Sequence, residues 1–165
     1  TAEDYENHIA SDPRIDALSV AIQGGLTVYD LEETEMVYSP QYGSAKDPVN
    51  MLGFIAAGEL RGDQNLVQLD QVMGNEDKYI LVDVRTPAEV ANGMLKGAKH
   101  MPLDDLRKRH GELNLPMDSD KPIAVYCRIG ARGYMGALIL QALGYKNVKN
   151  ISGGYELLSN NYTSM

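Results

Sequence analysis

The sequence predicts an α/β fold: a mostly parallel five-stranded sheet flanked by helices, preceded by a small N-terminal helical appendage. Three observations predict it. Ile123–Tyr126 is a compact apolar run rich in β-branched and aromatic residues, Tyr79–Val84 reads as a second buried strand and Val148–Ile151 as a last one, as a sheet covered on both faces requires. Helix-forming stretches alternate with these runs, which favours parallel strands joined by crossover helices. Residues 11–60, by contrast, read as helices and one irregular stretch. The 165 residues therefore divide into an appendage over 1–62 and an α/β domain over 63–165, joined at Gly62-Asp63.

Residues 1–10 are polar and read as a frayed start. Ser11-Asp12-Pro13 reads as a helix start, followed by Ile15, Leu18, Ala21 and Ile22 at helical spacing, and Gly24-Gly25 stops that helix. Thr27 caps a short second helix over 28–33. Asp47-Pro48 opens a third, to about Leu60, with Met51, Leu52 and Ile55 as its apolar side. In the α/β part, 66–69 is a short strand and Asp70 a cap for a helix to Met73. After the strand at Tyr79–Val84, Thr86-Pro87-Ala88-Glu89 has the cap, first-position proline and reciprocal glutamate of a capping box. Ala98–Met101 is a short strand and Leu103–His110 a charged surface helix. The central strand, Ile123–Cys127, is followed by a helix over Tyr134–Leu143 that ends at Gly144. Val148–Ile151 is the last strand, and Tyr155–Asn160 a closing helix.

A formal charge of −8 argues against nucleic acid or an anionic membrane as partner. No apolar run is long enough to span a bilayer and no signal peptide is visible. One cysteine excludes an internal disulfide, and a free thiol favours a reducing, cytoplasmic setting. His8, His100 and His110 are widely separated and suggest no metal site.

The chemistry concentrates in Cys127-Arg128-Ile129-Gly130-Ala131-Arg132-Gly133. A lone cysteine is ordinarily a small buried apolar residue. This one ends a strand and begins a glycine-bearing, doubly basic turn ahead of a helix. Such a turn aims backbone N–H groups into a small bowl, where the helix dipole and Arg128 and Arg132 favour a thiolate. In an acidic protein that handles anions, these two arginines are expected to gather the positive charge. Asp83, Arg85 and Glu89, at another strand-to-helix corner, read as one local ion-pair network. A sharper reading lets Asp83 orient the active loop from below.

Taken in order, Leu81–Glu89, Gly93–Pro102, Cys127–Gly133 and Ser152-Gly153-Gly154-Tyr155 resemble the signatures of a rhodanese-like sulfurtransferase domain over about residues 66–160. The resemblance implies a catalytic Cys127 that carries sulfane sulfur as a persulfide. Its loop, Arg128 through Gly133, cradles the sulfur and binds the substrate. Arg14-Ile15-Asp16, Gly25–Leu31 and Tyr38–Met51 resemble the end of the dimerisation domain of coenzyme A disulfide reductases and related NADH oxidase flavoproteins, over about residues 11–58. Some members of that family carry a rhodanese domain at this junction. The second resemblance implies a homodimer formed through the appendage, whose apolar helix faces need a cover. It also implies a Tyr38 that reaches the partner subunit's active site in a full-length enzyme. FAD, NADH and coenzyme A are implied only for that enzyme. No G-x-G-x-x-G and no redox-cysteine helix occur in this chain, which does not begin with Met and is read as the C-terminal part of a longer protein.

The loop admits three readings. In sulfur transfer, Cys127 takes sulfur from a small anionic donor, thiosulfate or a persulfide or polysulfide, and passes it to a thiol or cyanide acceptor. In phosphatase or arsenate reductase chemistry the loop is normally one residue longer than the six residues from Cys127 to Arg132. The third reading is a non-catalytic docking module.

Overall fold

The computed structural model describes residues 2–37, 41 and 46–157, with side chains from residue 13 onward within those ranges. The chain separates into two compact units, residues 1–63 and 64–165.

The first unit consists of α1 (Ala2–Gln23), α2 (Val28–Glu33) and α3 (Pro48–Arg61). Ser11-Asp12-Pro13 does not start a helix, because α1 begins at Ala2 and runs through Pro13. Helix formers such as Ala2, Glu3, Glu6 and Ala10 carry it in from the N-terminal side, so Pro13 removes a donor from an existing helix instead of opening one. Thr27 and Asp30 cap α2 reciprocally. Asp47 caps α3, accepting from Val49 N at 3.0 Å. The packed side of α3 is its small-residue side, with Val49, Asn50, Gly53, Ala57 and Gly58 buried. A Cβ on Gly53 would lie 2.5 Å from Glu32 N, so glycine lets α2 and α3 approach. Asn50 Nδ2 donates to Leu31 O at 3.1 Å and Thr34 O at 2.7 Å, which satisfies carbonyls at the end of α2. Met51, Leu52 and Ile55 therefore face outward on α3, as do Ile15 and Ile22 on α1. Tyr38 lies outside the described residues.

The second unit is an α/β domain with five parallel strands: β1 (Leu66–Val67), β2 (Ile80–Asp83), β3 (Lys99–His100), β4 (Ile123–Tyr126) and β5 (Val148–Ile151). Their order in the sheet is β1-β5-β4-β2-β3. Its helices are α4 (Leu69–Val72), α5 (Pro87–Val90), α6 (Leu103–Arg109) and α7 (Ala131–Ala142). The α4 helix follows Gln68, not Asp70. The Gln71 side chain accepts from Gln68 N at 3.1 Å, so this amide supplies the cap and Asp70 falls in the first turn.

Both sheet faces are covered. Val82, Val84, Val125, Cys127 and Val148 pack with Leu106, Ala137 and Leu140 on one side. Leu81, Ala124, Tyr126 and Ile151 pack with Val67, Val72 and Leu95 on the other. At Gly136 of α7 a Cβ would meet Val125 Cγ1 at 3.1 Å and Val84 Cγ1 at 3.2 Å, so the helix lies close on the sheet. The chain leaves β4 toward β5 on one side and leaves β2 toward β3 on the other. The C-terminal ends of β4 and β2 thus flank a topological switch point, where open α/β sheets place their sites. Among the described residues no helix is long and apolar enough to cross a membrane.

Candidate functional site

Cys127 follows the last residue of β4 and is 1% exposed. The helix behind it begins earlier than its apolar spacing indicates. α7 starts at Ala131, so Arg132 and Gly133 belong to its first turn. Its first intrahelical bond is Tyr134 N to Gly130 O at 2.9 Å. The N–H groups of Ala131, Arg132 and Gly133 therefore have no partner within the helix and stand at its positive end. Gly130 makes the turn with φ 117°, a conformation that favours glycine. Its N–H donates to Cys127 Sγ at 3.2 Å.

A second segment holds the outer side of the loop. Tyr155 N donates to Cys127 O at 2.7 Å and Glu156 N to Arg128 O at 3.0 Å. In a trans peptide the carbonyl and the following N–H point in opposite directions. Fixing these two carbonyls outward thus turns the N–H groups of Arg128 and Ile129 to the other side. Gly154 makes this approach feasible. It sits at φ 60°, and a Cβ there would lie 2.6 Å from both carbonyl oxygens. Ile129 at the tip of the loop is 66% exposed.

Neither loop arginine is free to gather charge, which corrects the expectation from sequence. Arg128 Nε donates to Glu156 at 2.8 Å in an exposed pair. Arg132 makes a bidentate pair with Glu89, at 2.7 and 2.6 Å. Glu89 in turn accepts from Thr86 N at 2.9 Å and Thr86 Oγ1 at 2.8 Å while it closes the capping box of α5. The Arg132 bonds, helped by the Thr86 bonds and opposed by burial, hold the Glu89 carboxyl well below the usual carboxylate range.

Asp83, Arg85 and Glu89 are accordingly not one network. Asp83 and Arg85 pair with each other, with Arg85 Nε 3.0 Å from both carboxylate oxygens and a further nitrogen 2.7 Å from Oδ2. Glu89 turns instead to the cysteine loop because the switch point brings the ends of β2 and β4 together. Arg85 also donates to Gly93 O at 2.7 Å and lies 3.8 Å from the Tyr155 ring centroid. Asp83 stands opposite Tyr126, the residue before Cys127, in the ladder. Burial first, then the Asp83 charge, push the Tyr126 phenol well above its usual range. Tyr126 OH accepts from Leu95 N at 3.3 Å.

Gly154 and Tyr155 belong to a motif of the resemblance that sequence reasoning gave no place in the site, and Glu156 was not singled out at all. Gly153-Gly154 after the last strand was the available signal for a close approach. Asn150 was not singled out either. It is buried on β5, its Oδ1 lies against Gly133, and that oxygen has no hydrogen-bond partner among the described residues. His100 Nε2 lies 2.8 Å from Arg85 O, and His110 Nδ1 2.9 Å from Tyr145 OH. Among the described residues no group of three His, Cys, Asp or Glu side chains could hold a metal ion.

A family model for the rhodanese-like domain matches residues 66–161. The chain belongs to the rhodanese-like family. A sulfurtransferase of Allochromatium vinosum is 40% identical over 86 residues, covering 52% of this chain and 77% of that protein. Coenzyme A disulfide reductase of Staphylococcus aureus is 48% identical over 46 residues, covering 28% of this chain and 10% of the reductase. The crystal structure of reduced Bacillus anthracis CoADR-RHD matches with a TM-score of 0.81 and 42% identity, over 93% of this chain and 27% of that one. A NAD-dependent persulfide reductase from A. fulgidus matches with a TM-score of 0.74 and 32% identity, over 87% of this chain and 25% of that one. The chain thus spans about a quarter of each of these two solved chains. At these coverages both structural matches take in residues outside 66–161.

Proposed function

We propose that this rhodanese-like domain is a sulfurtransferase that carries sulfane sulfur as a persulfide on Cys127. The observation that carries the reading is the placement of Cys127 Sγ, 3.2 Å from the Gly130 N–H at the open end of α7. Around it the loop carbonyls are held outward by Tyr155 and Glu156. The Cys127 thiolate attacks the outer sulfur of a donor R–S–SH. A sulfur–sulfur bond forms at Cys127, the donor's own breaks, and R–S⁻ leaves. An acceptor thiolate then attacks the outer sulfur of Cys127–S–SH, takes it as R′–S–SH, and returns the Cys127 thiolate. No net oxidation occurs. The amides from Arg128 to Gly133 hold the outer sulfur, since donors aimed at developing negative charge stabilise it without reorganising. The Arg132–Glu89 pair speaks against a phosphatase or arsenate reductase, which needs that guanidinium for a tetrahedral oxyanion.

The likeness to longer reductases supports a place for this chain as the C-terminal part of a coenzyme A disulfide or persulfide (polysulfide) reductase. FAD, NADH and coenzyme A would belong to such an enzyme, and Tyr38 would serve the partner subunit's site there. The outward apolar residues of the helical unit support homodimer formation through it. A reactive thiol of this kind fits the reducing cytoplasm.

Intact mass after incubation with polysulfide tests the reading. The expected result is a gain of one sulfur atom that cyanide removes. An unchanged mass overturns it.

A further inference from the structure

Glu89 serves two elements at once. It closes the capping box of α5 through Thr86, and it receives both outer nitrogens of Arg132 across the switch point. The Arg132 guanidinium is held above its usual range by the Glu89 bonds; burial opposes this, and the nearby Cys127 sulfur adds to it. Arg132 is thus a cation beside the reacting sulfur whose charge is already answered. The other loop arginine, Arg128, also faces a glutamate, and the tip residue Ile129 is apolar and exposed. A loop arranged in this way offers little net positive charge to an incoming dianion. It offers apolar surface and backbone donors to a less charged sulfur.

We propose that Glu89 sets donor selectivity: by engaging Arg132 it keeps the field at Cys127 close to neutral, and so disfavours a sulfonate-bearing dianion such as thiosulfate relative to an organic persulfide. The inference rests on the sulfur-transfer reading. Glu89 touches no reacting atom and acts through Arg132, so it is a positioning residue. In the transfer from thiosulfate, the Cys127 thiolate takes the outer sulfur as Cys127–S–S⁻ and sulfite leaves as its dianion. The incoming and leaving groups are both doubly charged, which is where an unanswered Arg132 would help.

The test is Glu89→Gln, with Glu156→Gln as the exposed counterpart. Glutamine at this position keeps the capping box, so α5 keeps its start, and circular dichroism with thermal melting checks this. Two ratios are read on the full chain. The first is the rate of Cys127 persulfide formation from thiosulfate over that from cysteine persulfide. The second is the rate of Cys127 alkylation by anionic iodoacetate over neutral iodoacetamide. It reports the field at the sulfur without any sulfur transfer. Both ratios are expected to rise about fivefold in Glu89→Gln, the change that an ion pair of this exposure can carry, and less in Glu156→Gln. Unchanged ratios in a folded Glu89→Gln overturn the inference while persulfide formation in the parent chain leaves the sulfur-transfer reading standing. A raised alkylation ratio in a protein that accepts sulfur from neither donor upholds the electrostatic role of Glu89 but overturns both the selectivity and the sulfur-transfer reading. A Glu89→Gln protein that does not fold makes Glu89 structural and overturns the inference.

Discussion

Two carboxylate–arginine pairs lie at the C-terminal edge of the sheet, and they are built differently. Asp83 and Arg85, two residues apart, form a pair whose side chains are 0% and 4% exposed. Glu89 and Arg132 lie far apart in sequence, and their side chains are 28% and 33% exposed. The first pair is enclosed by the sheet, Tyr126, Tyr155 and the Gly93 carbonyl. Solvent barely reaches it. The second sits at the rim, where its strength depends on water and on what approaches Cys127. Burial thus separates a pair sealed in place from one that solvent and solutes reach.

The comparison breaks most readily at Arg85. Removing one partner of a buried pair leaves an uncompensated charge, and such changes cost about 3–5 kcal/mol. Arg85→Ala is expected to lower stability by about that much in urea unfolding, and to loosen the Tyr155 segment that holds the Cys127 carbonyl. A loss below about 1 kcal/mol would place Arg85 among ordinary surface pairs and erase the difference between the two pairs.

A smaller effect sharpens the comparison at Glu89. Its carboxyl is held down in the folded chain, chiefly by Arg132. A group with a depressed folded pKa contributes stability above its unfolded value and loses it as pH falls toward the folded one. At neutral pH, Glu89→Gln is therefore expected to be less stable than the parent by about 1 kcal/mol or less. The deficit should shrink as the solution is acidified below the usual carboxylate range. Urea midpoints at neutral and acid pH measure it. A deficit that grows on acidification would contradict the assigned pair.

β2 and β4 were legible because each is a short, largely apolar run, and β4 with its cysteine was legible as the centre. The capping box at Thr86 and Glu89 was legible too, being a local pattern. Its second use was not, since the meeting of Glu89 with Arg132 depends on β2 and β4 lying side by side with diverging connections. For the same reason the arginines of the loop read as free charge: sequence shows a basic turn and conceals the glutamates that reach it from α5 and from the segment after β5. In α3 the large apolar residues suggested the packed side. The close approach made by Gly53 turned the small residues inward instead. The start of α1 was misread because Pro13 is a strong helix-start signal, while helix-forming residues ahead of it outweigh that signal.

The proposed sulfur transfer depends on Cys127 as the sulfur carrier. The most direct measurement is sulfur transfer from polysulfide to cyanide by the purified chain and by Cys127→Ser. Serine is nearly isosteric and leaves the enclosing Val125, Ala137 and Leu140 cluster in place. Transfer is expected at the uncatalysed background for Cys127→Ser, with an unfolding midpoint close to that of the parent chain. Enzymatic turnover that survives in the folded variant would contradict it.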